Sequence, residues 1–231
     1  MAILRTVAEK VDASHTAMLI VDVQRDFCAP EGAFAQMGRD LTRIDSMLPH
    51  LQVLVASARQ AGVMLVFLRY TQTPLTESEV HLEQRSRGRA DIPYCREGSP
   101  GAEFYAVLPE QGDAVVTKHR YSGFVHTDLD VILRSRGIRT LVMTGVATNG
   151  CVEATARDGF MHDYYIVFVD DCAATYIEEL HQATLTNIRD ASGVVVTGEE
   201  LSSLWAATPA AVSAGRANLH AGQAAPGAPG D

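Results

Sequence analysis

The stretch Thr140-Leu141-Val142-Met143-Thr144-Gly145-Val146-Ala147-Thr148-Asn149-Gly150-Cys151-Val152-Glu153 decides the fold. Its first five residues are an apolar run bounded by Gly145, which predicts a short buried strand. A turn rich in Gly and Asn follows, and from Val152 to Asp158 no breaker interrupts the opening of a helix. Strand, turn and helix in that order make one step of an open α/β sheet. Cys151 stands at the helix opening, where unpaired backbone N–H groups and the positive end of the helix dipole favour a thiolate. The same N–H groups can hold an oxyanion. The plainer reading of Cys151 is a small buried hydrophobe.

Outward from this step the same alternation recurs. Apolar runs at 17–21, 63–68, 114–117, 164–169 and 194–196 predict further strands. Helices are expected over 41–60, 128–136, 151–161 and 177–190. The first of these carries Ile44, Leu48, Leu51, Leu54, Val55 and Ala58 at helical spacing. Asp40 is its expected N-cap and Gly62 its exit. Repeated βα units specify a single-domain, three-layer α-β-α sandwich with a mainly parallel, doubly wound sheet. Its ligand site is expected beyond the C-terminal strand ends. The polar stretch Tyr70 to Gly101 is too long for a simple connector and reads as a functional excursion. A single domain is expected over 1–205. From Ala206 to the end the composition turns to Ala, Gly and Pro, which predicts a flexible tail.

The chain has 231 residues, 47% of them hydrophobic, and a net charge of −9. An acidic surface without basic clusters argues against nucleic-acid or anionic-membrane partners. Met1 to Asp12 lacks the apolar core of a signal peptide, and no apolar run is long enough to span a bilayer. Four cysteines without Cys-x-x-Cys spacing fit a reducing cytoplasm. Cys28, Cys95 and Cys172 read as packing thiols.

Three strand ends carry the chemistry. Asp22 ends the first apolar run, where a carboxylate is costly unless paired or functional. Lys118 ends the run Val115-Val116-Thr117; taken alone it reads as a lysine reaching for the rim. Cys151 follows a third strand. All three can converge on one crevice, where a carboxylate takes the thiol proton, an ammonium supports the thiolate, and the carboxyl later protonates a leaving amine.

These residues carry a resemblance to a known family. Asp22-Val23-Gln24-Arg25-Asp26-Phe27, Lys118-His119-Arg120-Tyr121-Ser122-Gly123-Phe124 and the segment from Thr144 to Glu153 are similar to the motifs of isochorismatase-like cysteine hydrolases, over roughly residues 15 to 205. The resemblance implies Asp22 as general acid/base, Lys118 as its electrostatic partner and Cys151 as nucleophile. It also implies a cis Val146–Ala147 peptide and an oxyanion hole formed by the Ala147 and Cys151 N–H groups. The metal-binding nicotinamidases of the family have an Asp-x-His motif with further histidines. This chain has Arg69-Tyr70-Thr71-Gln72-Thr73-Pro74 and His81 alone, so neither metal nor cofactor is expected. His81 reads as a solvated loop or helix residue. Isochorismatases proper lack the cysteine.

What remains is hydrolysis of a linear C–N bond in a small ureido or carbamoyl compound, ureidoacrylate-like or biuret-like. The alternatives are another simple amide (maleamate- or nicotinamide-like) and a non-catalytic, redox-sensing member. Phe27, Tyr121 and Phe124 are expected as apolar walls, with Arg69, Gln72 or Arg96 as carboxylate anchors. Gln24 is expected to hydrogen-bond near Asp22, and Asp26 to fix the turn. Asp170 and Asp171 end a further strand that can face the crevice. The substrate is a small molecule, and a homo-dimer or homo-tetramer is expected by family likeness.

Overall fold

The computed structural model describes residues 2–87 and 92–207. Among these, six strands form one sheet: β1 (Thr16–Val21), β2 (Met64–Tyr70), β3 (Ala114–Lys118), β4 (Thr140–Val146), β5 (Tyr165–Ala174) and β6 (Gly193–Val196). Their order is β3-β2-β1-β4-β5-β6, and every pairing is parallel. The expected "mainly parallel" sheet is thus wholly parallel. The helices are α1 (Val7–Lys10), α2 (Arg25–Cys28), α3 (Ala33–Gln36), α4 (Thr42–Ala61), α5 (Glu79–Ser86), α6 (Leu129–Ser135), α7 (Glu153–Met161), α8 (Glu178–Ala191) and α9 (Gly198–Ala207).

Strand alternation splits each apolar run between two cores. Met18 and Ile20 of β1 face a cluster built with α4 and α9, including Ile44, Leu51, Leu54, Leu201 and Trp205. Ala17, Leu19 and Val21 face the opposite cluster, with Leu129, Leu133, Ala156, Leu185 and Ile188 from α6, α7 and α8. A strand apolar on both faces needs cover on both, and the helices supply it.

Several boundaries differ from expectation. Asp40 does accept the Thr42 N–H, at 2.9 Å, but Leu41 occupies the N-cap position and the helix starts at Thr42. The helix expected from Cys151 begins at Glu153. Cys151 lies instead in a wider turn, Thr148–Val152, closed by Val152 N–H to Ala147 O at 3.3 Å and kinked at Gly150. Helices α5 and α9 were not expected. The α9 helix reaches Ala207, past the expected domain end, and the expected flexible tail lies from 208 onward outside the described residues. No helix of the described residues is long and apolar enough to cross a membrane.

The chain moves outward from β1 to β2 and β3, then returns to β4 on the other side of β1. The crevice at this reversal is where such sheets bind ligands. Asp22 follows β1, Tyr70 ends β2, Lys118 ends β3 and Cys151 follows β4, all at the same edge.

Candidate active site

Asp22 leaves β1 in the left-handed region (φ 51°) while its N–H still bonds Leu68 O at 3.0 Å. That turn aims the carboxylate into the interior rather than along the strand. Lys118 Nζ donates to Asp22 Oδ2 at 2.7 Å and to Arg120 O at 3.1 Å. Both side chains are fully buried, so Lys118 does not reach for the rim. Its ammonium also lies 5.0 Å from the centroid of the Tyr70 ring. Asp22 Oδ1 makes no well-formed hydrogen bond, and the Cys151 thiol interacts with the same carboxyl.

Burial pushes the Asp22 carboxyl up from its ordinary value, although Lys118 and the Cys151 thiol pull the other way. Burial acts against the Lys118 charge, but the Asp22 carboxylate and Cys151 outweigh it and hold the ammonium. Burial also pushes the Cys151 thiol up, with Asp22 adding to the effect and Lys118 opposing it. Burial and Asp22 thus favour the thiol, where the helix-dipole reading favours a thiolate. Desolvation near a carboxylate outweighs the helix end, since Cys151 precedes α7.

The turn around Cys151 is held from several sides. The Val146–Ala147 peptide is cis, as the resemblance implies. Gly145 has φ 105°, and a methyl there would overlap the Val21 backbone. Asn149 Oδ1 accepts the Thr175 hydroxyl at 2.7 Å. Thr155 donates to Cys151 O at 2.7 Å and accepts the Gly123 N–H at 2.9 Å, tying the Cys151 turn to the loop after Lys118. Behind it, Thr148 Oγ1 meets His181 Nδ1 at 3.0 Å, and His181 Nε2 meets Asp170 Oδ1 at 2.8 Å.

Above the trio opens a cavity of about 330 Å³. Asp22, Ala147, Gly150 and Cys151 line it, and much of the rest of its lining is aromatic. Phe27 and Phe34 meet edge to face at 4.9 Å, Phe34 stacks on Tyr176 at 5.2 Å, and Tyr70 stacks on Tyr94 at 6.0 Å. Arg39, Gln84 and Tyr121 line it as well.

A family model described as the isochorismatase domain matches residues 16–200. The chain belongs to the isochorismatase family. It is a hydrolase of that family, and its fold matches the family's solved structures. It is 36% identical over 199 residues to a ureidoacrylate amidohydrolase of Methylobacterium radiotolerans, covering 80% of this chain and 77% of that one. A cysteine hydrolase structure from Pseudomonas syringae superposes with a TM-score of 0.75 at 27% identity, covering 89% of this chain and 98% of that one. An N-carbamoylsarcosine amidase from Thermoplasma acidophilum superposes with a TM-score of 0.65 at 26% identity, covering 80% and 97%.

In this isochorismatase-family chain the expected pocket residues divide. Phe27 and Tyr121 line the cavity; Arg69, Gln72, Phe124 and Arg96 do not. Arg69 turns to Thr117 Oγ1 at 3.2 Å and to the Phe104 ring. Gln72 is buried between the Tyr70 hydroxyl, at 3.0 Å, and Arg85 Nη1, at 2.7 Å. Arg96 pairs with Glu77 at 3.1 Å. Phe124 stacks on His162 at 4.9 Å. Each is held by a neighbour that the linear sequence does not reveal. Asp170 and Asp171 also lie outside the cavity, the latter accepting the Gly198 N–H at 2.7 Å.

Gln24 donates to Tyr70 O and Ala102 O, at 2.9 and 2.7 Å, and accepts the Tyr70 N–H at 2.8 Å. Asp26 Oδ2 accepts the Cys95 N–H at 2.6 Å, and its Oδ1 accepts that of Ala33 at 3.1 Å. These bonds hold the backbone at Tyr70, Cys95 and Ala102, and Tyr70 and Tyr94 line the cavity. His81 stacks on Tyr121 at 6.3 Å, on α5 beside the mouth. No group of three or more His, Cys, Asp or Glu side chains able to hold a metal ion occurs among the described residues.

Proposed function

We propose that this chain is a cysteine-dependent amidohydrolase cleaving a linear C–N bond in a small ureido or carbamoyl compound. The observation that carries the reading is the buried Asp22–Lys118 pair placed against Cys151 on the floor of one aromatic cavity. The ureidoacrylate amidohydrolase and N-carbamoylsarcosine amidase likenesses support the substrate class.

As Cys151 Sγ attacks the substrate carbonyl carbon, its proton passes to Asp22, whose raised affinity for a proton suits it to the task. The oxyanion rests on the Ala147 and Cys151 N–H groups. Collapse breaks the C–N bond, and Asp22 returns the proton to the departing nitrogen. Water then gives a proton to Asp22 and attacks the thioester-type carbonyl, and the thiol is restored as the acid product leaves. Lys118 keeps the carboxylate oriented and limits the cost of its burial.

The reading includes a homo-dimer or homo-tetramer in a reducing cytoplasm. Family likeness supports the first, and four free thiols the second. An ammonia-release screen over N-carbamoyl acids, biuret, neutral ureides and simple amides tests the activity. Turnover of a ureido compound is expected; turnover of simple amides alone would move the reading to a maleamate-type enzyme.

A further inference from the structure

Arg39 is the only cationic side chain lining the cavity among the described residues, and it was not among the carboxylate anchors expected from sequence. Its position is built by the chain. The α3 helix ends with Gly38 in the left-handed region (φ 77°), and the Arg39 N–H returns to Phe34 O at 3.0 Å. The guanidinium then lies 5.9 Å from the centroid of the Tyr176 ring. Tyr176 is itself fixed, by its hydroxyl donating to Phe27 O at 3.0 Å and by its stacking on Phe34.

The guanidinium makes no ion pair or side-chain hydrogen bond with another described residue. Nearby acids are engaged elsewhere: Glu31 pairs with Arg25, and Asp40 holds the Thr42 N–H and hydroxyl. A half-buried arginine on a rigid aromatic support presents a planar set of donors that matches a carboxylate in two parallel bonds. The other charged side chain lining the cavity, Asp22, is already paired with Lys118, which leaves Arg39 as the unpaired charge there.

We propose that Arg39 is a specificity-determining residue that binds a carboxylate on the substrate, at the end remote from the carbonyl that Cys151 attacks. The substrates are then anionic ureido or N-carbamoyl acids, in preference to neutral ureides such as biuret. This rests on the amidohydrolase reading above.

The test compares a short N-carbamoyl amino acid with its neutral methyl ester, using wild type, Arg39→Gln and Arg39→Lys. Wild type is expected to favour the acid. Arg39→Gln is expected to raise KM for the acid about 10–100-fold, with the loss falling on KM rather than kcat and the acid-over-ester preference gone. Arg39→Lys should keep part of that preference, since it keeps the charge but not the fork. Equal use of acid and ester by wild type, or equal losses on both in Arg39→Gln, would overturn the proposal and leave the amidohydrolase reading standing. If wild type releases ammonia from neither, that reading fails, and calorimetry of the acid decides the Arg39 site. Binding that Arg39→Gln abolishes supports the site; absence of binding to wild type overturns it.

Discussion

Lys118 Nζ and Asp22 Oδ2 lie 2.7 Å apart with neither side chain meeting solvent, although 96 positions separate them in sequence. The pair exists because β3 and β1 end at the same edge of the sheet with β2 between them. It costs desolvation on both sides, so its presence points to chemistry rather than to stability.

Removing one partner strands the other charge. Asp22→Asn is expected to cost about 3–5 kcal/mol of stability in urea denaturation and to abolish turnover. Combining it with Lys118→Met should recover most of the stability and none of the activity. An Asp22→Asn protein as stable as wild type would contradict this account of the pair.

The thiol makes a second prediction. Cys28, Cys95 and Cys172 are buried, so alkylation of the folded protein reports on Cys151. The rate against pH should inflect above the ordinary thiol value of about 8.5. Asp22→Asn should lower that inflection and Lys118→Met raise it, because the first group opposes the thiolate and the second supports it. An inflection below the ordinary value in wild type would mean that the helix end governs after all.

How much of this was legible in sequence follows from the range of each interaction. Apolar runs and helical spacing are local, so the strands from Thr16 to Val196 and the burial of Ile44 through Ala58 could be read directly. The trio could be read as three strand ends. The α5 helix buries no residue and left no apolar stripe, although its Ser78 cap was a usable signal. The α9 start was marked by Thr197 and Glu200, which bond each other's backbone N–H reciprocally as a capping box. The cavity wall had no such signal. Phe34, Tyr70, Tyr94 and Tyr176 come from four segments; Gln24 reaches Tyr70 across 46 residues, Asp26 reaches Cys95 beside Tyr94 across 69, and Tyr176 reaches Phe27 O across 149.

His181 supplies a stability prediction. Burial holds it neutral, Asp170 opposes that and Arg43 adds to it, so its folded pKa lies below the usual 6.5. The unfolded chain takes up a proton near that value, and the folded protein only at lower pH. The contribution of His181 is therefore complete above pH 6.5 and declines as pH falls below it. The stability difference between wild type and His181→Asn should shrink over that range; a difference that grows as pH falls would contradict the assignment.

Gly145 tests the turn that carries Cys151. Gly145→Ala forces a side chain to φ 105° and against the Val21 backbone. Strain alone should cost about 1–3 kcal/mol, read as a lowered Tm, and any folded fraction should show a reduced kcat. Unchanged Tm and kcat would mean that the turn has room to shift.

The central claim is covalent catalysis by Cys151, and intact-protein mass spectrometry of acid-quenched turnover tests it most directly. With a substrate found in the ammonia-release screen, wild type is expected to carry an added acyl or carbamoyl mass that maps to Cys151, while Cys151→Ala carries none and loses several orders of magnitude in kcat. Near-normal turnover by Cys151→Ala would contradict the account.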